Sequence, residues 1–274
     1  MNGHTPFFSV VIPTLNEEKY LPRLLRDLDR QIDKDFEAFV VDGRSEDKTV
    51  EKAKKYEGVL PYLEIMISDI RNVGAQRNKA AKAARGKFLV FLDADAQIPA
   101  NFLSQIHNYL IEEDPKCRFL TTWVKADSES SSEKTVTMFI NMLLEMAKSM
   151  EKPTVLGFNM VVLRKDFEKV KGFNEKIKIA EDFDLTKRLT DIGASWHLLK
   201  SPRLVMSLRR LRREGTLESV RKLVVGVSKF LLEGPITQEI FDYPMGGKVV
   251  DTRSKRRQKL KKTFEKYKKL LDQF

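Results

Sequence analysis

The stretch Lys87-Phe-Leu-Val-Phe-Leu-Asp-Ala-Asp-Ala-Gln97 decides the fold. Phe88 to Leu92 is a run of five apolar residues. Such a run suits a strand buried on both faces, as strands in parallel sheets are. It stops at Asp93-Ala-Asp95, and Gln97, Pro99 and Asn101 predict a bend just beyond. Carboxylates at the carboxyl end of a buried strand lie where ligands bind in open α/β sheets. Neighbouring acids repel unless one is protonated or a cation lies between them. Mg²⁺ or Mn²⁺ suits such oxygen ligands and keeps company with substrate phosphates. The plain alternative is a solvated turn rich in Asp.

Upstream, the chain alternates strands and helices. Phe7 to Thr14 reads as a strand, followed by a helix capped at Asn16 with Leu21, Leu24, Leu25 and Leu28 as its buried stripe. Phe36 to Val41 is a second strand, with a short helix from Asp47 to Tyr56. Leu60 to Ser68 is a third strand, and Asn72 to Ala84 is an Ala-rich helix closed by Gly86. This order means βαβ units and a parallel sheet.

Downstream, the expected order is a helix (Ala100–Glu113), a strand (Arg118–Val124) and a polar, mobile loop over Asp127–Glu133. Thr135 to Met150 is a helix in which Met138, Met142, Met146 and Met150 recur every four residues. Core packing is the expected use of that stripe; contact with an apolar acceptor or a membrane surface is the other, because Met surfaces adapt to varied partners. A strand (Val155–Leu163), a turn at Gly172, a helix entered at Ile179 and two short strands (Trp196–Leu199, Leu204–Leu208) follow. Leu217 to Leu232 reads as an amphipathic helix, and the last twenty or so residues as a basic one.

Composition narrows the classes. One cysteine, Cys117, excludes an internal disulfide and fits a reducing compartment. Three scattered histidines and that cysteine cannot build a structural zinc site. With a polar N-terminus and no apolar run of membrane-spanning length, the expected location is cytoplasmic, with peripheral contact at the inner membrane face as an option. The net charge of +11 is concentrated in Asp251–Phe274, where ten Lys/Arg face three Asp/Glu. Such a tail is either a solvated helix face or an attractor of anionic lipid or nucleic acid.

Five stretches, in order, resemble the family-two glycosyltransferases of GT-A fold. They are Val10-Val-Ile-Pro-Thr-Leu-Asn-Glu-Glu18, Val41-Asp-Gly-Arg-Ser-Glu-Asp-Lys-Thr49, Asn72-Val-Gly-Ala-Gln-Arg-Asn78, Ala84-Arg-Gly-Lys-Phe-Leu-Val-Phe-Leu-Asp-Ala-Asp95, and Gly172-Phe-Asn-Glu with Ala180-Glu-Asp-Phe-Asp-Leu185. The resemblance covers residues 7 to 210. It implies a Rossmann-like, mostly parallel sheet flanked by helices. Residues 1–210 would be the catalytic domain, with a nucleotide half to about 97 and an acceptor half beyond. Residues 211–274 would be a helical, basic extension.

The implied activity is inverting transfer of one sugar from a nucleoside-diphosphate donor, UDP- or GDP-linked, to an acceptor hydroxyl on a lipid or a small molecule. Asp93 and Asp95 would hold the metal, joined by Gln97 in an Asp-x-Asp-x-Gln pattern similar to dolichol-phosphate sugar synthases. Pro13, Leu15, Glu17, Asp42, Arg71, Arg77, Asp93 and Ala94 would line the nucleotide pocket. Asp182 is the implied base, with Glu181 beside it, since inversion needs a group that takes the acceptor's proton.

Two departures stand out. Gly43 replaces a second acid common in relatives, and no His follows Val205 as a third metal ligand. Arg209 and Arg210 are the candidates to meet diphosphate oxygens there, since Arg forks match phosphate geometry. The Gln-x-x-Arg-Trp signature of processive synthases and the Gly-x-Gly-x-x-Gly of dehydrogenases are both absent. The competing functions are a nucleotide-sugar binder without turnover, and an anionic-surface or nucleic-acid binder acting through the tail.

Overall fold

The computed structural model describes residues 5–177 and 180–214. Seven strands form one sheet in the order β3-β2-β1-β4-β6-β5-β7. They are β1 Phe8–Thr14, β2 Phe36–Asp42, β3 Leu63–Ile67, β4 Phe88–Leu92, β5 Phe119–Ala126, β6 Asn159–Leu163 and β7 Trp196–Met206. All pairings are parallel except those of β6, which runs antiparallel to both β4 and β5. The helices are α1 Leu21–Asp29, α2 Thr49–Lys54, α3 Val73–Ala83, α4 Phe102–Asn108, α5 Ser131–Ser149, α6 Arg164–Lys169, α7 Glu181–Asp191 and α8 Arg209–Glu214.

Alternate residues of each strand feed alternate faces of the sheet. Phe8, Val10, Ile12, Ala38, Val40, Phe88, Val90 and Leu92 pack in one core with α1 and α4. Val11, Phe39, Val41, Leu89 and Phe91 pack in the other with α3, α6 and α7. The stripe Leu21, Leu24, Leu25 and Leu28 is fully buried, as its spacing predicts. Each such leucine contributes about 2 kcal/mol of hydrophobic stabilisation.

This topology has one switch point. From β1 the chain moves outward to β2 and β3, then returns to the opposite side of β1 as β4. The crevice outside the carboxyl ends of β1 and β4 is where open α/β sheets bind ligands. Residues 15–17 follow β1 there and Asp93–Gln97 follow β4.

Several local expectations are corrected. The first helix starts at Leu21, not Asn16. Asn16 is a left-handed turn residue with φ 55°, and Pro22 suits the first helical turn. The helix after Pro99 is α only to Asn108; Tyr109–Glu113 is a π-helical turn. Trp196–Leu199 and Leu204–Met206 belong to one strand, β7, which is irregular between Leu199 and Leu204 and ends before Leu208. The polar stretch Asp127–Glu133 is partly helix and is tied down, since Asp127 and Glu133 both pair with Arg212.

The methionine stripe of α5 does not pack in the core. Met138, Met142, Met146 and Met150 are all exposed, while Glu133, Thr137, Asn141 and Leu144 are buried. Polar residues won the inner face because strand β5 offers them hydrogen bonds: Asn141 both donates to the Val124 carbonyl and accepts from the Val124 N–H. The readings of Leu217–Leu232 and the basic tail lie outside the described residues.

Candidate active site

Two pinned loops build one wall of the crevice. The Glu17 N–H donates to Thr49 Oγ1 at 2.7 Å and the Asn16 N–H to Ser45 Oγ at 2.7 Å. Gln76 Nε2 donates to the carbonyls of Thr14 and Val41, both at 2.8 Å, tying together the ends of β1 and β2. Pro13 is the penultimate residue of β1, and Leu15 is buried just beyond it. Asp42 is buried at the end of β2, where it accepts from Thr14 Oγ1 and from both the N–H and hydroxyl of Ser45. Both its oxygens are therefore engaged in shaping the loop. Arg71 lies over that loop, donating to the carbonyls of Gly43 and Arg44.

The second wall follows β4. Ala94 is buried, which leaves Asp93 and Asp95 as the polar residues of this turn. The Gln97 backbone pairs with Val205 of β7 in both directions. That pairing carries the chain to Arg209. The Arg209 guanidinium donates to both Glu17 oxygens, at 2.7 and 2.5 Å, and its Nε lies 2.9 Å from Asp95 Oδ2. It also covers the Tyr20 ring at 4.5 Å. Arg210 is half-buried one residue further along α8.

Burial raises the pKa of Glu17, and Asp95 and Asp93 add to it, with Arg209 opposing. Burial raises Asp95 as well, against the Arg209 charge and with Asp93. For Arg209 itself, burial alone would lower the pKa; the Glu17 hydrogen bonds and the Asp95 charge push it up. The acids thus call for positive charge beside them: Arg209 supplies it to Glu17 and Asp95, and Arg77 to Asp93.

Arg77 makes the link to α7. Its side chain is 3 % exposed; Nη2 donates to Asp93 and Nη1 to Glu181, each at 3.0 Å. One guanidinium therefore joins the turn after β4 to the start of α7. Asp182 accepts from the Gly157 N–H at 2.9 Å and the Phe183 N–H at 3.0 Å. Ala180, in the left-handed conformation with φ 68°, turns the chain so that the acid pair opens α7. Burial pushes the Glu181 carboxyl up to about 7, the neighbouring Asp182 adds to that, and Arg77 opposes it. Burial also raises Asp182, against its bond from Gly157 and the Arg77 charge. The two acids titrate as a pair.

The expected residues are thus distributed as follows. Glu17, Asp95 and Arg209 meet directly, as do Asp93, Arg77 and Glu181. Asp42 and Arg71 shape the loop after β2. Among the described residues, no group of three His, Cys, Asp or Glu side chains stands ready as a complete metal cage. The donor chemistry nevertheless fits a hard divalent ion: Asp93 and Asp95 are carboxylates of one turn, and each already holds a guanidinium, Arg77 and Arg209 respectively. Sequence reading missed Gly157 and the bridging role of Arg77. A lone glycine before β6 and an arginine inside a helix carry no distinctive spacing.

Comparisons with known proteins address the fold and the family. The chain is 29 % identical over 223 residues to an uncharacterized glycosyltransferase of Methanocaldococcus jannaschii, covering 79 % of this chain and 75 % of that one. It is 35 % identical over 111 residues to the poly(ribitol-phosphate) beta-N-acetylglucosaminyltransferase TarS of Staphylococcus aureus, covering 38 % of this chain and only 19 % of TarS. The solved TarS 1-349 in complex with UDP-GlcNAc superposes with TM-score 0.60 at 25 % identity, over 74 % of this chain and 58 % of that one. The mannosyltransferase PcManGT of Pyrobaculum calidifontis, solved with GDP-Man and Mn²⁺, superposes with TM-score 0.66 at 22 % identity, over 85 % of this chain and 66 % of that one. The fold is the GT-A fold of these proteins. The glycosyl transferase family 2 profile matches residues 9–171, more than half of the chain, and the chain belongs to that family.

Proposed function

We propose that this protein is an inverting, divalent-metal-dependent glycosyltransferase. It moves one sugar from a UDP- or GDP-linked donor to an acceptor hydroxyl, on a lipid-linked or small molecule. The observation that carries the reading is the Arg77 bridge, because it draws the acids after β4 and the acid pair opening α7 to one crevice. A metal-phosphate site and a base are needed on the two sides of a reacting sugar.

Asp93 and Asp95 would hold Mn²⁺ or Mg²⁺, with Gln97 nearby; such an ion neutralises charge on a departing diphosphate. The pocket side is Pro13, Leu15, Glu17, Ala94 and the loop held by Asp42, with Arg71 over it. Arg209 and Arg210 lie at the phosphate end. Once its carboxylate partners turn to a bound donor, Arg209 is positioned to meet phosphate oxygens. Asp182, deprotonated, takes the proton of the acceptor hydroxyl as its oxygen attacks the anomeric carbon and the bond to the diphosphate breaks. Arg77 holds the neighbouring Glu181, which limits how far that acid can turn.

The test is a melting-temperature screen of UDP-, GDP- and dTDP-sugars with and without Mn²⁺, since a ligand of the native state raises its stability, followed by turnover of the best donor. A donor that binds with no turnover across a broad acceptor panel would point instead to a nucleotide-sugar binder.

A further inference from the structure

Helix α5 is inside out. Its polar residues face the protein: Glu133 pairs with Arg212, Asn141 is bonded to β5, and Glu145 accepts from Trp123 Nε1 at 3.0 Å. Leu144 is buried and Ile140 packs against the core, but the remaining large apolar residues face away. Met138 is 66 % exposed and Met150 57 %, with Phe139, Met142, Leu143 and Met146 exposed between them. The stripe runs for about 18 Å at 1.5 Å per residue. A helix that spends its polar side on the protein and leaves its apolar side outward presents that side to an apolar partner.

The charges around the stripe favour one kind of partner. Both acidic side chains of α5, Glu133 and Glu145, are turned to the protein, on Arg212 and Trp123. The exposed charges of α5 are Lys134 near its start and Lys148 near its end. Lys148 can extend to lipid phosphates while the stripe enters the acyl boundary, as can Lys134 on exchanging its solvent-exposed partner Glu129 for them. Four methionines suit a fluid partner better than a fixed groove, because the thioether side chain is unbranched and adaptable. We propose that the outward face of α5 is a docking surface for an anionic lipid bilayer, with the protein peripheral to it. The reading needs no transfer reaction and stands or falls separately from the one above.

The full chain should float with vesicles of phosphatidylcholine and phosphatidylglycerol, and much less with phosphatidylcholine alone. Dilute hydrogen peroxide converts exposed methionines to sulfoxides that mass spectrometry can place. Without vesicles, Met138, Met142, Met146 and Met150 should oxidise at the rate of open side chains. With anionic vesicles they should slow by about tenfold, while buried Met160 stays unmodified throughout as the fold control. The double variant Met142→Asp, Met146→Asp should keep its melting temperature and lose flotation. Absence of flotation overturns the proposal. So does unchanged flotation of the double variant, which would assign binding to the basic tail. Slow oxidation of the four methionines before vesicles are added also overturns it, because another part of this chain or a second copy would then cover the face. The oxidation pattern of the unaltered chain decides the question even if the double variant does not fold.

Discussion

Arg209 stands 2.9 Å from Asp95, closing the crevice with a positive charge from α8 where two acids meet. The same guanidinium grips Glu17 with two further bonds. Substituting Arg209→Ala leaves Glu17 and Asp95 without their cation, while Asp93 keeps Arg77. Breaking a largely buried pair on one side costs about 3 kcal/mol, so the variant should melt lower at neutral pH. Mn²⁺ should then raise its melting temperature more than that of the parent, since the ion no longer competes with a guanidinium. Equal Mn²⁺ responses of the two proteins would argue against an ion at these acids.

Asp95→Asn keeps shape and removes one charge. Transfer should fall by about two orders of magnitude or more, as expected when a group that stabilises developing charge is lost. Melting should change little, because Arg209 retains both its Glu17 bonds. Activity and melting curves measured together separate a site effect from a folding effect.

Asp182→Asn should remove transfer by roughly 10²–10⁴-fold, the usual worth of a general base. The pair Glu181 and Asp182 also predicts a pH profile. Burial raises both carboxyls, Glu181 up to about 7, so the base is protonated at low pH and kcat/KM should climb as pH rises above the ordinary carboxylate range. Glu181→Gln removes a like charge beside Asp182 and should move that rising limb to lower pH. A limb that stays in place in Glu181→Gln would show that the pair does not set the profile.

Gly157 has no room for a side chain. A Cβ there would sit 3.1 Å from both Arg77 Nη1 and Asp182 Oδ2. Gly157→Ala should displace the acid by a few tenths of an ångström and lower kcat by about tenfold, with little change in donor affinity. Isothermal titration of the donor beside steady-state rates makes the distinction.

Gly86 is a purely structural counterpart. A Cβ at this position would lie 2.5 Å from Ser9 Oγ and 2.6 Å from the Ser9 backbone nitrogen. The backbone of β1 cannot yield, so Gly86→Ala should destabilise by about 3 kcal/mol through overpacking. Urea denaturation would read it directly.

Much of this was written in local sequence. The run Phe88–Leu92 is a strand with the bounds its composition predicts, and the leucines of α1 are buried as spaced. Asn72 caps α3 by accepting from the Ala75 N–H, the role a polar residue before an apolar helix takes. These features depend on neighbours within one turn or one strand, where periodicity and capping act.

The failures have the opposite origin. The four-residue spacing of Met138, Met142, Met146 and Met150 fixed a common face of α5 but not which face turns inward; hydrogen bonds from β5 to Asn141 and from Trp123 to Glu145 decided that. Asn16 reads in sequence as the cap of α1, but its N–H is tied to Ser45 in a left-handed turn and the helix starts at Leu21.

Sequence by itself determined the strands, the acids at their ends and the family they resemble, because each rests on side-chain pattern along a short segment. Only the tertiary structure decided that Arg209 grips Glu17 from 192 residues away, and that Arg77 spans Asp93 and Glu181. An ion pair is chosen by distance in space and by the lack of water to screen it, and neither is set until the sheet and helices have packed.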